Sequence, residues 1–133
     1  MNGKLTKTLG YTLLATGLAV AAVPVSADYL SAERAQRLVF TPQNDANVAE
    51  ISINEELTFR VDGLNLNAKF IHGVDISACS VSRINPGENV LATAEVTDAK
   101  NGVIRVKAGP AAGRAKLHLK CRSKQVSIMV RVS

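Results

Sequence analysis

Apolar and polar residues alternate along the last third of the chain. Ala115, Leu117, Leu119 and Cys121 share one parity and Lys116, His118, Lys120 and Arg122 the other, the period of two that marks a strand with one wet face. The pattern recurs upstream and downstream. Leu57, Phe59 and Val61 alternate with Thr58, Arg60 and Asp62; Ile104, Val106 and Ala108 with Arg105 and Lys107; Val126, Ile128, Val130 and Val132 with Ser127, Met129 and Arg131. Further strands are expected over 37–41, 49–53, 74–83 and 90–97. Turn-forming clusters separate these runs at 41–45, 62–63, 85–87, 100–102 and 109–113. Seven or eight short strands at this spacing predict an all-β fold, an antiparallel sandwich. Only SAERAQ (31–36) has local helical character, enough for a single turn or a frayed leader.

The N-terminal end does not fit that pattern. Lys4 and Lys7 precede an apolar stretch from about Leu13 to Val23, and Val25-Ser26-Ala27 has the small-residue form of a cleavage site. This predicts an export signal over 1–27, cut before Asp28; about 11 apolar residues fall short of the roughly 20 that span a bilayer. The domain plan is then a signal peptide (1–27), a short leader (28–36) and one β-sandwich domain (37–133). Cleavage would leave 14 basic and 11 acidic residues, a net charge of +3 in place of +5. The mature chain is expected in the periplasm or outside the cell.

Export gives the two cysteines their meaning. In an oxidising compartment an even count predicts a disulfide, Cys79 to Cys121, and closing a loop of about 43 residues stabilises a fold by about 4 kcal/mol on the chain-entropy model. No C-x-x-C spacing suggests redox chemistry. Zinc would need four ligands where the mature chain offers two cysteines and two distant histidines.

Two stretches carry a family likeness. ELTFRVDGLNL (56–66) resembles the early strand and Gly-x-Asn-Leu bend of bacterial immunoglobulin-like domains of the IPT/TIG kind, and NGVIRVKAGPAAGRAKLHLK (101–120) resembles their late hairpin with its Pro-and-Gly turn. The resemblance covers about 70 residues through strand and turn pattern. It implies an immunoglobulin-like sandwich and a spacer, adhesion or binding module without shared catalytic residues. The mature chain has no tryptophan to pack on the disulfide, so it is not of the antibody type.

Charge order then changes the picture. From 28 to 98 there are five basic and eleven acidic residues; from 99 to 133 there are nine basic residues and no acid. A hairpin over 102–121 with Val106 facing Leu117 would oppose Lys107 to Lys116 and Arg105 to His118, which costs some tenths of a kcal/mol. Such a face needs compensation, either from acids on a neighbouring strand such as Glu95 and Asp98 or from an external anion. Arg105, Lys107, Lys116, His118 and Lys120 form the candidate partner-binding face.

An acidic protein or anionic envelope component fits this face. Nucleic acid is disfavoured: single-strand binding adds aromatic stacking, and the mature chain has only Tyr29 and three phenylalanines at expected core positions, Phe40, Phe59 and Phe70. Pairing of the acid-rich part with a second copy's basic part would give head-to-tail oligomers. Catalysis is disfavoured, because His118 lies on a wet strand face and His72 at a bend, with no nucleophile beside either. Asp45, Asp62, Asp75 and Asp98 lack calcium-loop spacing, Met129 reads as packing, and no cofactor is expected. The reading is a non-enzymatic binding or assembly module of the cell envelope, docking through the basic strands or a free strand edge. The alternative is a periplasmic inhibitor or sequestering protein that presents a loop, 85–88 or 109–113, to an envelope enzyme.

Overall fold

The apolar parities of the alternating segments meet in a single core between two sheets. The computed structural model describes residues 29–84 and 89–133; the expected signal peptide and the 85–88 loop lie outside them. Nine strands are described: β1 (Arg37–Pro42), β2 (Glu50–Ile51), β3 (Glu56–Leu64), β4 (Phe70–Ile71), β5 (Ser80–Ile84), β6 (Leu91–Asp98), β7 (Val103–Ala108), β8 (Gly113–Cys121) and β9 (Lys124–Val132). The five-stranded sheet runs β1-β3-β7-β6, with β4 paired to the end of β3; the four-stranded sheet runs β2-β9-β8-β5. All pairings are antiparallel except β2 with β9.

Phe59, Val61, Ile104 and Val106 from one sheet pack against Leu117, Leu119, Val130 and Val132 from the other, all essentially without solvent exposure. Burying each such side chain stabilises the fold by about 1.5–3 kcal/mol relative to exposure. Phe40 packs edge-on against Phe59 at 6.0 Å between ring centroids. Leu30, Ala32 and Ala35 join this core, and 31–36 forms a single 3-10 turn, Ala32–Arg34.

The disulfide is formed. Cys79 and Cys121 flank the Ser80–Lys120 rung, so the bridge staples β5 to β8 within the four-stranded sheet.

Three expectations are corrected. The segment 102–121 is not a hairpin: β7 pairs with β3 and β6, and β8 with β9 and β5, so 109–113 carries the chain from one sheet to the facing one. The crossing is tied down at Gly109, whose N–H donates to the Val90 carbonyl (2.7 Å) and whose own carbonyl accepts from Asn54 (3.2 Å). A Cβ there would lie 2.4 Å from the Asn89 carbonyl oxygen, so a larger residue would force the crossing open. Phe70 is 44% exposed and Met129 51% exposed, so neither is core packing. Finally, of the expected strand over 74–83 only 80–83 is in a ladder, apart from an isolated bridge between Asp75 and Ser31. Asp75 accepts from the Ser77 amide and hydroxyl (2.9 and 2.5 Å), an Asx turn that competes with strand pairing.

Candidate functional site

Because β7 and β8 belong to different sheets, the five residues of the expected basic face divide between opposite sides of the sandwich. Arg105 and Lys107 lie on the outer face of the five-stranded sheet, and Lys116, His118 and Lys120 on that of the four-stranded sheet.

The two surfaces differ in what surrounds the cations. Arg105 donates from Nη2 to the Glu95 carboxylate at 2.6 Å across the β6–β7 ladder, a hydrogen bond that, with the nearby Glu56 charge, raises the guanidinium's affinity for its proton. Lys107 stands opposite Glu56 of β3. The strands of this sheet carry four basic and four acidic residues, net zero. Internal compensation by Glu95 is therefore present on this side.

The same face holds a buried ionic cluster that the alternation alone does not reveal. Asp62, outward by parity, is only 1% exposed because the turn at 72–73 covers it. Its Oδ1 accepts from Arg60 Nε (2.7 Å) and the Gly73 amide (2.8 Å), and its Oδ2 from the Thr41 hydroxyl (2.6 Å). Arg60 Nη2 also donates to His72 Nδ1 at 2.8 Å. Burial pushes the Asp62 carboxyl up, but the Arg60, Thr41 and Gly73 hydrogen bonds outweigh it and hold the group below the ordinary carboxylate range. Gly73 sits at φ +77°, and a Cβ on it would lie 2.7 Å from the Asn101 carbonyl oxygen; only glycine closes this lid without strain. The cluster satisfies itself.

On the four-stranded sheet the strands carry six basic residues against one acid, Glu50, a net of +5. Glu50 stands 4.0 Å from Arg131 at one corner, where Arg131 directly opposes Arg114. Among the described residues, Lys116, His118 and Lys120 form no such pair. His118 and Lys120 are flanked on one side by Ser82 and Ser80 and on the other by Ser127 and Gln125. Lys116 lies between Ile84 and Met129, 39% and 51% exposed. Successive outward residues stand about 6.8 Å apart along the strand. The result is a row of two lysines about a histidine, bordered by small polar groups and ending in an apolar spot, open to an anionic surface.

Arg83 escaped the sequence reading. It lies on the inward parity of β5, yet its Nη1 donates to the carbonyls of Leu91 (2.9 Å) and Ala92 (2.5 Å), closing the gap between the β5 and β6 edges. A lone arginine on an otherwise apolar parity is the signal that could have found it. At the opposite end, an open hollow of about 550 Å³ lies beside Tyr29, Arg34, Asn65 and the 79%-exposed Leu66. Among the described residues no group of three or more His, Cys, Asp or Glu could hold a metal ion, and no helix is long and apolar enough to cross a membrane.

No family model matches the chain and no curated protein matches it in sequence. Solved structures do. Domains 5–6 of the S-layer protein SbsC align with a TM-score of 0.54 and 15% identity, covering 87% of this chain and 55% of that one. Domains 4 and 5 of the same protein align at 0.50 and 17%, covering 85% and 55%. The ZirS C-terminal domain aligns at 0.50 and 12%, covering 100% and 90%. The chain thus spans about half of each S-layer structure it matches. The fold is an immunoglobulin-like β-sandwich.

Proposed function

We propose that this chain is an exported, non-enzymatic binding or assembly module of the cell envelope, of the bacterial immunoglobulin-like IPT/TIG kind. It docks an acidic partner on the outer face of its four-stranded sheet. One observation carries the reading: Lys116, His118 and Lys120 stand on a sheet whose strands hold a single acid, away from them, while on the other sheet Arg60 pairs with Asp62, Arg105 with Glu95, and Lys107 stands opposite Glu56. Uncompensated charge on a rigid surface gains little for folding and much for association rate and partner choice. The likeness of fold to S-layer domains and the formed disulfide support an exported setting. The partner is an acidic protein surface, and Ile84 and Met129 beside Lys116 suit one with an apolar residue among its acids.

The test is a pair of charge reversals with one probe, immobilised poly-L-glutamate, followed by cross-linking capture in the host. Lys116→Glu with Lys120→Glu abolishes retention at low salt and capture of the partner. Arg105→Glu with Lys107→Glu leaves both in place. Equal loss from the two pairs would mean that only net charge matters and would sink the assignment to one face.

A further inference from the structure

The outer edges of the two sheets are not equally protected. The β6 edge is broken by register shifts between Leu91 and Thr93 and between Val96 and Asp98, and Arg83 sits on the Leu91 and Ala92 carbonyls. These are recognised guards against strand addition. The β1 edge carries Arg37 and ends in Pro42, and β5 is only five residues long.

The β9 edge is guarded less along its middle: its cations, Lys124 and Arg131, stand near its two ends, and β1 of the facing sheet lies alongside it without pairing. Among the described residues, only β2 pairs there, and only at Arg131 and Val132. The amides of Arg131 and Ser133 donate to the Ala49 and Ile51 carbonyls on that side. With the strand's period of two, the N–H and C=O groups of Gln125, Ser127 and Met129 point the same way, beyond the end of β2. Between Lys124 and Arg131 lie six uncharged residues, QVSIMV, without glycine or proline. A segment of this kind on an open edge is a template for an added strand.

We propose that this edge pairs with the same edge of a second copy, antiparallel about Ser127, joining two four-stranded sheets into one of eight strands. The sequence is self-complementary in that register: Gln125 meets Met129, Val126 meets Ile128, Lys124 meets Val130, and no two like charges are directly opposed. A foreign acidic strand would find no cation among the six residues between Lys124 and Arg131 to reward it. A pairing of about six residues a side falls at the small end of protein interfaces, so the dimer is weak and fills at high concentration. It sets two rows of cations side by side on one continuous face, which multiplies the affinity of any multivalent anion by effective concentration.

The proposal stands independently of the docking reading, and salt separates the two. Self-pairing brings like-charged sheets together and strengthens as salt rises; poly-glutamate binding weakens. Sedimentation of the purified protein across a range of concentrations should show a monomer–dimer equilibrium. Ser127→Pro removes a donor that points away from β8, so it leaves the ladder intact; it should weaken the dimer about thirtyfold or more, because two symmetry-related hydrogen bonds are lost together. Ser127→Lys, which keeps the donor but opposes two cations, should weaken it by a similar factor, and circular dichroism should find both variants folded. A protein that stays monomeric at all concentrations, or a dimer indifferent to both substitutions, overturns the inference. Dimerisation without poly-glutamate binding would uphold it and remove the docking reading instead.

Discussion

The two sheets share a core and differ in how their outer faces treat charge. The five-stranded sheet matches its four bases with four acids, one of them the buried Asp62, while the four-stranded sheet has six bases against one acid and is held instead by a disulfide between β5 and β8. A covalent staple keeps its strength when like charges repel, whereas an ion-pair network depends on its partners. The contrast teaches that the excess cations are not there to hold the sheet together, since something else does.

The largest expected effect strikes the staple. Replacing Cys79 and Cys121 together by Ala should cost about 4 kcal/mol on the chain-entropy model for the loop they close, a large share of the 5–15 kcal/mol typical of a domain. Urea unfolding of the variant beside the parent measures it. A loss under about 1 kcal/mol would mean that the cationic sheet does not need its staple, and the comparison between the sheets would lose its force.

Next comes the ionic cluster of the five-stranded sheet. Asp62→Ala leaves Arg60, the Thr41 hydroxyl and the Gly73 amide without their shared acceptor, at a cost of about 2–3 kcal/mol. The same group sets an acid limb. Its folded-state pKa is lowered, so its stabilisation is complete above the unfolded value near about 4 and drains away as pH falls through the folded value. Thermal melts from neutral pH downward should show the parent losing stability in that window and the Asp62→Ala variant losing less. Parallel curves would mean that the carboxylate is not what the cluster is built on.

How much of this was written in the alternation can be judged residue by residue. Leu57, Phe59, Ile104, Leu117 and Val130 are buried where their parity puts them, because a period of two leaves an apolar side chain only one dry face. The 109–113 turn misled, since a Pro-and-Gly link between two alternating strands reads the same whether the chain returns within a sheet or crosses to the facing one. The like-charge opposition of Lys107 with Lys116 was the warning: a register that needs an excuse is often the wrong register. With the crossing recognised, the cations part company, and the surviving site is Lys116, His118 and Lys120. Asp62 was hidden because its burial comes from a lid ten and eleven residues downstream, at His72 and Gly73, which no strand pattern encodes. Phe70 was misplaced for the opposite reason. Its strand of two residues pairs with the end of β3 and turns Ile71, not Phe70, into the core.

The smallest effect is the one that bears most directly on function, because its sign differs between the sheets. Glu95→Lys removes the carboxylate that Arg105 donates to and sets a cation beside Arg105 and Lys107, so it should lower the melting temperature slightly. Lys116→Glu should do the reverse or nothing, within about 0.5 kcal/mol as for most exposed sites, since it adds an acid to a face whose one other acid, Glu50, stands at a corner and where Lys120, Arg114 and Arg131 repel one another. Both shifts should shrink as salt is raised, because exposed charges are screened beyond about 10 Å at 0.1 M. Calorimetry of the two variants at low and high salt reads the pair. If Lys116→Glu destabilises as Glu95→Lys does, the cationic row is part of the fold's own balance, and its lack of acids needs no partner to explain it. If it is neutral or stabilising, a row of cations that folding would do as well without is present for something outside the molecule.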